Sequence, residues 1–364
     1  MLIKVYSENK YRFSNKSYLS YFVAKELNKK YNDDRDQTDI EAILNYCCFG
    51  INSDILLFLI YVTDNSRILD LILERTIAFT GEWEEFKFPC HEIKYLNSDM
   101  SPYDVDTISD EEISRIEKAS IEDEKAIVQN ELIQTVDIYD YSEDEASNLL
   151  NQLIRAINLL SIVSKCLPFF EHNMKKEQKD AFVDQIYSLP NKIFYLWALN
   201  VEKAKEGIVK FIEKSLPSDY RKQKGIKSDK EFHQDALKIL INNSITLLLD
   251  IYNHSVIHST KENTIAYLSD FNFQSEETYS IQHLMMLSNR NKVSDFISEA
   301  ERIIKKDKGK LPTVLVKFVT NHALYSMKGL TRTNKESLLQ KVFPEKKSQK
   351  ALILSAKRKE TQND

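Results

Sequence analysis

The chain of 364 residues is poor in the residues that interrupt helices or build phosphate-binding loops, with 6 glycines and 7 prolines. So few turn-forming residues favour long helices over a sheet-rich fold with many tight turns. A Walker A loop needs two glycines and a Gly-Lys-Ser/Thr ending. The one Gly-Lys pair, Gly309-Lys310, is followed by Leu311 and lacks the upstream glycine, and no Gly-x-Gly-x-x-Gly occurs. The chain is therefore not expected to be a self-sufficient P-loop NTPase.

Cysteine is equally scarce, and the four cysteines (Cys47, Cys48, Cys90 and Cys166) form no CxxC pair and no zinc-ligand spacing. Scattered cysteines in a chain of this size suit a reducing compartment. No signal-peptide pattern is visible at the start. The longest apolar run, Ile55–Val62, is too short to span a bilayer. These features predict a cytoplasmic protein without a membrane partner.

Charge is unevenly spread along the chain, although the net value is only −5. Residues 81–145 hold 20 acidic and 5 basic residues, whereas residues 301–364 hold 16 basic and 6 acidic residues. Such asymmetry indicates either an interaction surface or a solvated charged face. Basic residues near the C-terminus are candidates for contacts to nucleic-acid phosphates: Lys346, Lys347, Lys350, Lys357, Arg358 and Lys359. They have no interleaved aromatics, so pairing with the acidic segment or solvation is favoured.

Apolar residues recur at helical spacing through most of the chain, so the predicted fold is all-α. Residues 36–80 predict three helices, with caps at 52–54 and 64–66. Pro190 is expected to stop a later helix. Another predicted helix has a buried stripe that ends at Pro168 and consists of Leu149, Leu150, Leu153, Ile157, Leu160 and Val163. Without a fixed repeat, the expected architecture is one of irregular helical hairpins, similar to an α-solenoid, with a small N-terminal β-hairpin.

Changes in composition divide this pattern into seven segments. The predicted organisation is a hairpin plus helix at 1–34, helical hairpins at 35–80, an acidic connector and helix at 81–130, a helical domain at 131–216, a linker at 217–230, a second helical domain at 231–343 and a basic tail at 344–364. A domain boundary is expected within about 81–108.

Catalytic motifs are incomplete throughout. His254 and His258 stand four residues apart, a spacing that can bind a metal on one helix face, but position 255 is Ser rather than the Glu of an HExxH motif. No third ligand is evident nearby, and two partly exposed helix histidines are the favoured interpretation. No Gly-x-Ser-x-Gly elbow occurs, and no cysteine has a catalytic context. The sequence therefore predicts a non-enzymatic protein without a cofactor.

The most specific pattern lies near the N-terminus. Residues 2–6 and 11–13 are suited to short strands, and the polar residues 7–10 are suited to a turn. Ser14 is the predicted N-cap of the following helix. From there Tyr18, Tyr21, Phe22 and Lys25 fall on one side of a helix, and Leu19, Val23 and Leu27 fall close to it, which gives a broad apolar face at helical spacing.

This hairpin and helix resemble the end of the winged-helix subdomain of prokaryotic NACHT/STAND-type NTPases. The matching residues are Tyr11, Arg12, Phe13, Ser14, Asn15, Ser17, Tyr18, Tyr21, Phe22 and Ala24. Two positions depart from the family. Asn15 stands where many members have a His that faces the nucleotide phosphates, and Ser20 stands where the family has a Glu.

The resemblance implies the C-terminal portion of such a protein, without the P-loop domain that precedes the winged helix in the family. There the following region is a sensor arm that recognises a trigger, often a phage component. The expected function is thus that of a sensor or scaffold, with antiviral defence as the implied setting, which acts through protein–protein contacts with an NTPase half in trans or with a trigger protein. Two alternatives remain: a nucleic-acid-binding helical protein using the basic C-terminal residues, and a metal-dependent enzyme built around His254 and His258.

Overall fold

The all-α fold predicted from the sequence is confirmed by the computed structural model, which describes residues 3–7, 10–13, 15–97, 148–261, 263–264, 267–268, 277–306 and 311–343. Two strands come first, β1 (Ile3–Ser7) and β2 (Lys10–Phe13). The helices are α1 (Lys16–Asp34), α2 (Thr38–Asn45), α3 (Asn52–Val62), α4 (Ser66–Thr80), α5 (Lys94–Asn97), α6 (Leu149–Phe170), α7 (Lys176–Ser215), α8 (Tyr220–Lys224), α9 (Asp229–Ser259), α10 (Glu277–Asn289), α11 (Val293–Lys306), α12 (Leu311–Ser326) and α13 (Arg332–Val342).

The two strands form an antiparallel pair, with Ile3 opposite Phe13 and Val5 opposite Tyr11. Helix α1 begins three residues after β2 ends. A two-stranded hairpin on its own is marginal in water, so this element depends on the helices that follow it. Its derivation from a winged helix stays a prediction.

Asn15, and not Ser14 as predicted, is the N-cap of α1. Its backbone is extended (φ −143°), and its side-chain Oδ1 accepts a hydrogen bond of 2.9 Å from the backbone N–H of Ser17. The prediction chose the wrong residue because Ser and Asn are equally good caps and stand side by side here. The helix ends at Arg35, which adopts the left-handed conformation and donates its N–H to the carbonyl of Tyr31 at 3.0 Å.

Replacing this cap tests whether Asn15 has a structural role. We expect Asn15→Ala to lower the free energy of unfolding by about 1 kcal/mol, because the N–H of Ser17 loses its acceptor. Asn15→Asp keeps an acceptor and adds a negative charge at the helix N-terminus, so it is expected to match the parent or exceed it slightly. Thermal unfolding followed by circular dichroism compares the three proteins. Equal losses in both variants would show that the cap does not stabilise the helix.

Helical contacts divide the chain into two compact units, each built from three stretches of sequence. Among the described residues, the first unit holds 3–85, 148–193 and 258–268, and the second holds 86–97, 194–257 and 277–343. The seven predicted segments stay predictions. The predicted linker at 217–230 contains a short helix, α8. Its C-cap is Gly225, which has a positive φ of 65°.

Pro190 does not stop a helix, contrary to the prediction. It lies inside α7, and Pro168 likewise lies inside α6. A proline within a helix removes one backbone hydrogen bond and costs roughly 3 kcal/mol. Pro190 is buried, as are Leu189 and Ile193, and the side-chain amide of Asn191 donates to the carbonyl of Tyr187 at 2.8 Å. Tertiary burial and this local bond offset the cost, which a sequence pattern does not register.

Helix α6 buries a different set of residues from the predicted stripe. Leu149 and Leu150 at its start are exposed, the latter by 66 %, whereas Leu160 and Val163 are buried as expected. Among the described residues, α6 is also the one helix long and apolar enough to cross a membrane, with a mean hydropathy of 1.5 over 18 residues. Since 56 % of that window is buried inside the protein, the helix also fits the description of a core helix.

Candidate functional site

Helix α1 buries a narrow face of small and aliphatic residues. Ser20, Ala24, Leu27 and Tyr31 are its buried residues, at spacings of four, three and four. Three rings of the apolar face predicted for this helix, Tyr18, Tyr21 and Phe22, are all exposed. Small side chains at Ser20 and Ala24 permit a neighbouring helix to approach closely, which leaves the bulky rings outside the contact.

The exposed rings of α1 continue into rings from α3 and α6. Tyr21 meets Phe22 at 5.4 Å between centroids and Phe58 at 6.0 Å. Phe58 meets Tyr61 at 6.4 Å, and Tyr61 meets Phe169 at 4.7 Å. Phe13 at the end of β2 joins the other end, 5.9 Å from Phe22. We call this set the aromatic row: Phe13, Phe22, Tyr21, Phe58, Tyr61 and Phe169.

Much of the aromatic row faces solvent. Tyr61 is 51 % exposed, Phe169 43 % and Phe22 42 %, and Tyr21 is also exposed, while Phe13 and Phe58 are half-buried. A single exposed apolar side chain is ordinary in a globular protein. A contiguous exposed apolar patch is less common on a monomeric protein and is typical of interaction surfaces. All six rings belong to the first unit, so the surface is complete within that unit.

Lysines border the aromatic row. The Nζ of Lys261 lies 3.9 Å from the centroid of the Phe169 ring, well within the range of a cation–π contact. Lys165 lies one helical turn before Phe169, and partial burial lowers the pKa of its ammonium group, an effect that the nearby Asp54 opposes. Lys25 is exposed one turn after Tyr21 on α1. Exposed acids stand at similar spacings, since Glu26 follows Phe22 by one turn and Asp64 follows Tyr61 by three residues, so the rim carries both signs of charge.

A polar network holds the chain beside Lys261 against the ends of α6 and α7. Lys179 donates to Glu171 at 2.9 Å, and this bond is the main reason why the pKa of Glu171 is lowered. Asn263 donates to the other oxygen of the same carboxylate at 3.5 Å. Tyr267 donates its hydroxyl to Asp180. These contacts position Lys261 next to the last ring of the row.

The residues selected from the sequence have other roles or lie elsewhere. Asn15, which the resemblance matches to a nucleotide-facing His, is exposed, and its side chain caps α1. His254 and His258 stand one turn apart on α9, half-buried, and both make contacts within the protein. Within the described residues, no group of three His, Cys, Asp or Glu side chains is arranged to hold a metal ion. The C-terminal candidates lie outside the described residues: Lys346, Lys347, Lys350, Lys357, Arg358 and Lys359.

The cysteines are not activated for nucleophilic chemistry. All four are free thiols, and Cys47, Cys90 and Cys166 are buried. Burial raises the pKa of Cys47 to about 12 and raises the pKa of Cys166 as well. The half-buried Cys48 also has a raised pKa for the same reason. Since the thiolate is the nucleophilic form, a raised pKa favours the protonated, less nucleophilic form of these thiols near neutral pH.

Sequence reasoning missed half of the aromatic row, namely Phe58, Tyr61 and Phe169, together with Lys261. One signal was available in α3, whose central residues are apolar on every side. A helix that is apolar all round is either fully buried or contacts a partner on its outer face. The buried residues Ile55, Leu59 and Ile60 take up one side of α3, so Phe58 and Tyr61 remain toward solvent.

Comparison with known proteins gives no relative: no protein-family model, curated protein or solved structure matches this chain.

Proposed function

We propose that this chain is a non-enzymatic helical sensor or scaffold that acts through protein–protein contacts, with the aromatic row as its docking surface. The observation that carries the proposal is the continuity of exposed rings across α1, α3 and α6. Residues from three helices form this surface, so the surface exists only when these helices are packed together.

The energetics of burial support protein docking. A buried aromatic side chain removes roughly 150–250 Å² from water. For rings that are about half exposed, docking would remove on the order of 80–100 Å² each, worth about 2 kcal/mol per ring. Tyrosine is also enriched among the residues that dominate binding energy at interfaces. Tyr61, with the greatest exposure in the row, is the strongest candidate for such a residue.

The position of the aromatic row supports a specific kind of partner. Phe13, Tyr21 and Phe22 belong to the stretch that resembles the end of a NACHT/STAND winged helix. In that family this region connects the helical arm to the NTPase portion. The proposal therefore names an NTPase half in trans, or a trigger protein, as the partner. The alternatives of nucleic-acid binding and metal-dependent catalysis stay predictions, since no arrangement of described side chains favours either.

Site-specific photocrosslinking tests this proposal in the cells that make the protein. p-Benzoylphenylalanine placed at Tyr61 or at Phe22 is expected to give covalent adducts with one and the same protein. The matched control is Phe211 on α7, which is 70 % exposed and belongs to the second unit. The same label there is expected to give no such adduct.

Three results would contradict the proposal. The first is an absence of protein adducts at both positions of the aromatic row. The second is an equal yield of the same adduct at Phe211, which would show non-specific contact. The third is robust ATP turnover by the purified chain that survives removal of contaminants, because the proposal assigns it no catalytic activity.

A further inference from the structure

Charges of both signs border the aromatic row, and they are close to balance. Among the side chains that the structure describes, four basic and three acidic ones contact a ring of the row or stand three or four residues from one: Lys16, Lys25, Lys165, Lys261, Glu26, Asp54 and Asp64. Beside Phe169 there is one more acid, Glu171, which is bonded to Lys179 at 2.9 Å and lies 3.1 Å from His172. The border therefore does not favour a partner of one sign.

A border of mixed charge is compatible with a copy of itself. Two copies of a surface of one sign would repel each other, because like charges that face each other across an interface cost free energy. Here each copy offers both ammonium groups and carboxylates, so bases of one copy can face acids of the other. In a two-fold dimer each such pair forms twice, since both copies use the same patch.

The exposed ring area matches the apolar share of a dimer interface. Tyr21, Phe22, Tyr61 and Phe169 are between 36 % and 51 % exposed, and at about 200 Å² per aromatic side chain they offer about 350 Å² together. Tyr18 is 42 % exposed one turn before Phe22 and brings the sum to about 430 Å². A specific interface buries about 800 Å² on each side, of which somewhat more than half is apolar.

We propose that a second copy of this chain covers the aromatic row in a two-fold dimer when the docking partner is absent, an inference that rests on the proposed docking function. All six rings belong to the first unit, so each copy contributes its rings from that unit alone. The second copy and the partner then compete for the same rings. Self-association keeps the apolar surface out of water and makes docking depend on the concentrations of both the chain and the partner.

Sedimentation velocity of the purified full chain tests this inference. The chain is expected to pass from monomer to dimer as its concentration rises through the micromolar range, without larger species, because a two-fold interface closes on itself. Tyr61→Ala combined with Phe169→Ala is expected to raise the Kd of the dimer at least about 10-fold. The matched control, Phe211→Ala in the second unit, should leave this Kd unchanged.

Charge reversal tests whether the two borders face each other. Lys25→Glu combined with Lys261→Glu makes the border acidic, and Glu26→Lys combined with Asp64→Lys makes it basic. Each double variant alone is expected to dimerise several-fold more weakly than the parent at low salt, because like charges then meet. An equimolar mixture of the two is expected to recover dimers, because opposite borders meet. All four residues are exposed, and circular dichroism verifies that each variant folds.

Three results would overturn the inference: a chain that stays monomeric at several hundred micromolar, a dimer whose Kd does not change when the rings of Tyr61 and Phe169 are removed, and a mixture of the charge variants that recovers no dimer. If photocrosslinks at Tyr61 and Phe22 then still identify another protein, only the dimer fails. If they capture nothing, the docking function itself fails. If they capture a second copy alone, the dimer is supported and the partner named in the proposed function is contradicted.

Discussion

Ser20→Glu is expected to destabilise the first unit by about 3–5 kcal/mol, enough to unfold many domains. Ser20 is completely buried on α1, and its hydroxyl donates to the carbonyl of Lys16 at 3.2 Å. Ala24 and Leu27 are buried on the same face. A glutamate in this position would place a longer side chain and an unpaired charge where only a hydroxymethyl group fits.

Ser17→Glu is the matched control for this substitution. Ser17 is exposed in the first turn of the same helix. A negative charge there interacts favourably with the helix dipole, so the free energy of unfolding should stay equal or rise by a few tenths of a kcal/mol. Urea unfolding followed by far-UV circular dichroism measures both variants. A Ser20→Glu protein within about 1 kcal/mol of the parent would show that α1 does not pack as described.

This experiment also bears on the resemblance to the NACHT/STAND family, which has a glutamate at the position of Ser20. If the substitution destabilises the chain, α1 in this protein packs through a face that does not tolerate the family's acid. The departure from the family pattern would then follow from helix packing, and it would not by itself indicate a lost nucleotide contact.

The second large effect is expected for Phe194→Ala in the second unit. Phe194 on α7 is buried, and its ring contacts Phe86 at 4.8 Å and Trp197 at 5.8 Å. Phe86 in turn meets Phe88 at 5.2 Å. Truncation to alanine removes most of a ring and leaves a cavity among rigid neighbours, which costs about 3–5 kcal/mol.

Phe211→Ala on the same helix provides the control for Phe194→Ala. It removes the same atoms from a side chain that is 70 % exposed, so the free energy of unfolding should change by less than about 0.5 kcal/mol. Urea unfolding gives the two values, and hydrogen–deuterium exchange locates the change, which is expected within residues 86–97 and 194–257 for Phe194→Ala. Similar losses in both variants would contradict the burial of Phe194.

Local sequence patterns predicted most of the helices, but they identified only some of the residues that cap them. The predicted cap at residues 64–66 is confirmed, because Asn65 accepts a hydrogen bond from the N–H of Arg67 at 3.1 Å. The predicted cap at residues 52–54 is wrong. There α3 begins without a side-chain cap, and the amide of Asn52 instead donates to the carbonyl of Tyr46 at 3.0 Å. A side chain that is able to cap a helix can also hydrogen-bond to other backbone groups. The tertiary fold determines which of these bonds it forms.

The aromatic row was not predictable from periodicity. Helix α1 carries apolar residues on more than one side, and the pattern gave equal reason to bury Tyr21 or Ala24. The choice depends on which helix packs against α1, and the periodic pattern of α1 alone does not record that helix. Phe169 follows Phe58 by more than one hundred residues, so its contact with Tyr61 depends entirely on the folded chain.

The discontinuous make-up of the two units has a consequence for how this gene can change in evolution. Recombination moves continuous stretches of DNA, whereas each unit here draws on three separate stretches of the chain, and the long helix α7 supplies residues to both. Neither unit can be gained, lost or exchanged as one inserted cassette. We therefore expect natural variants of this protein to differ by substitutions and by changes in the connecting segments, while the order and number of its helices are inherited together.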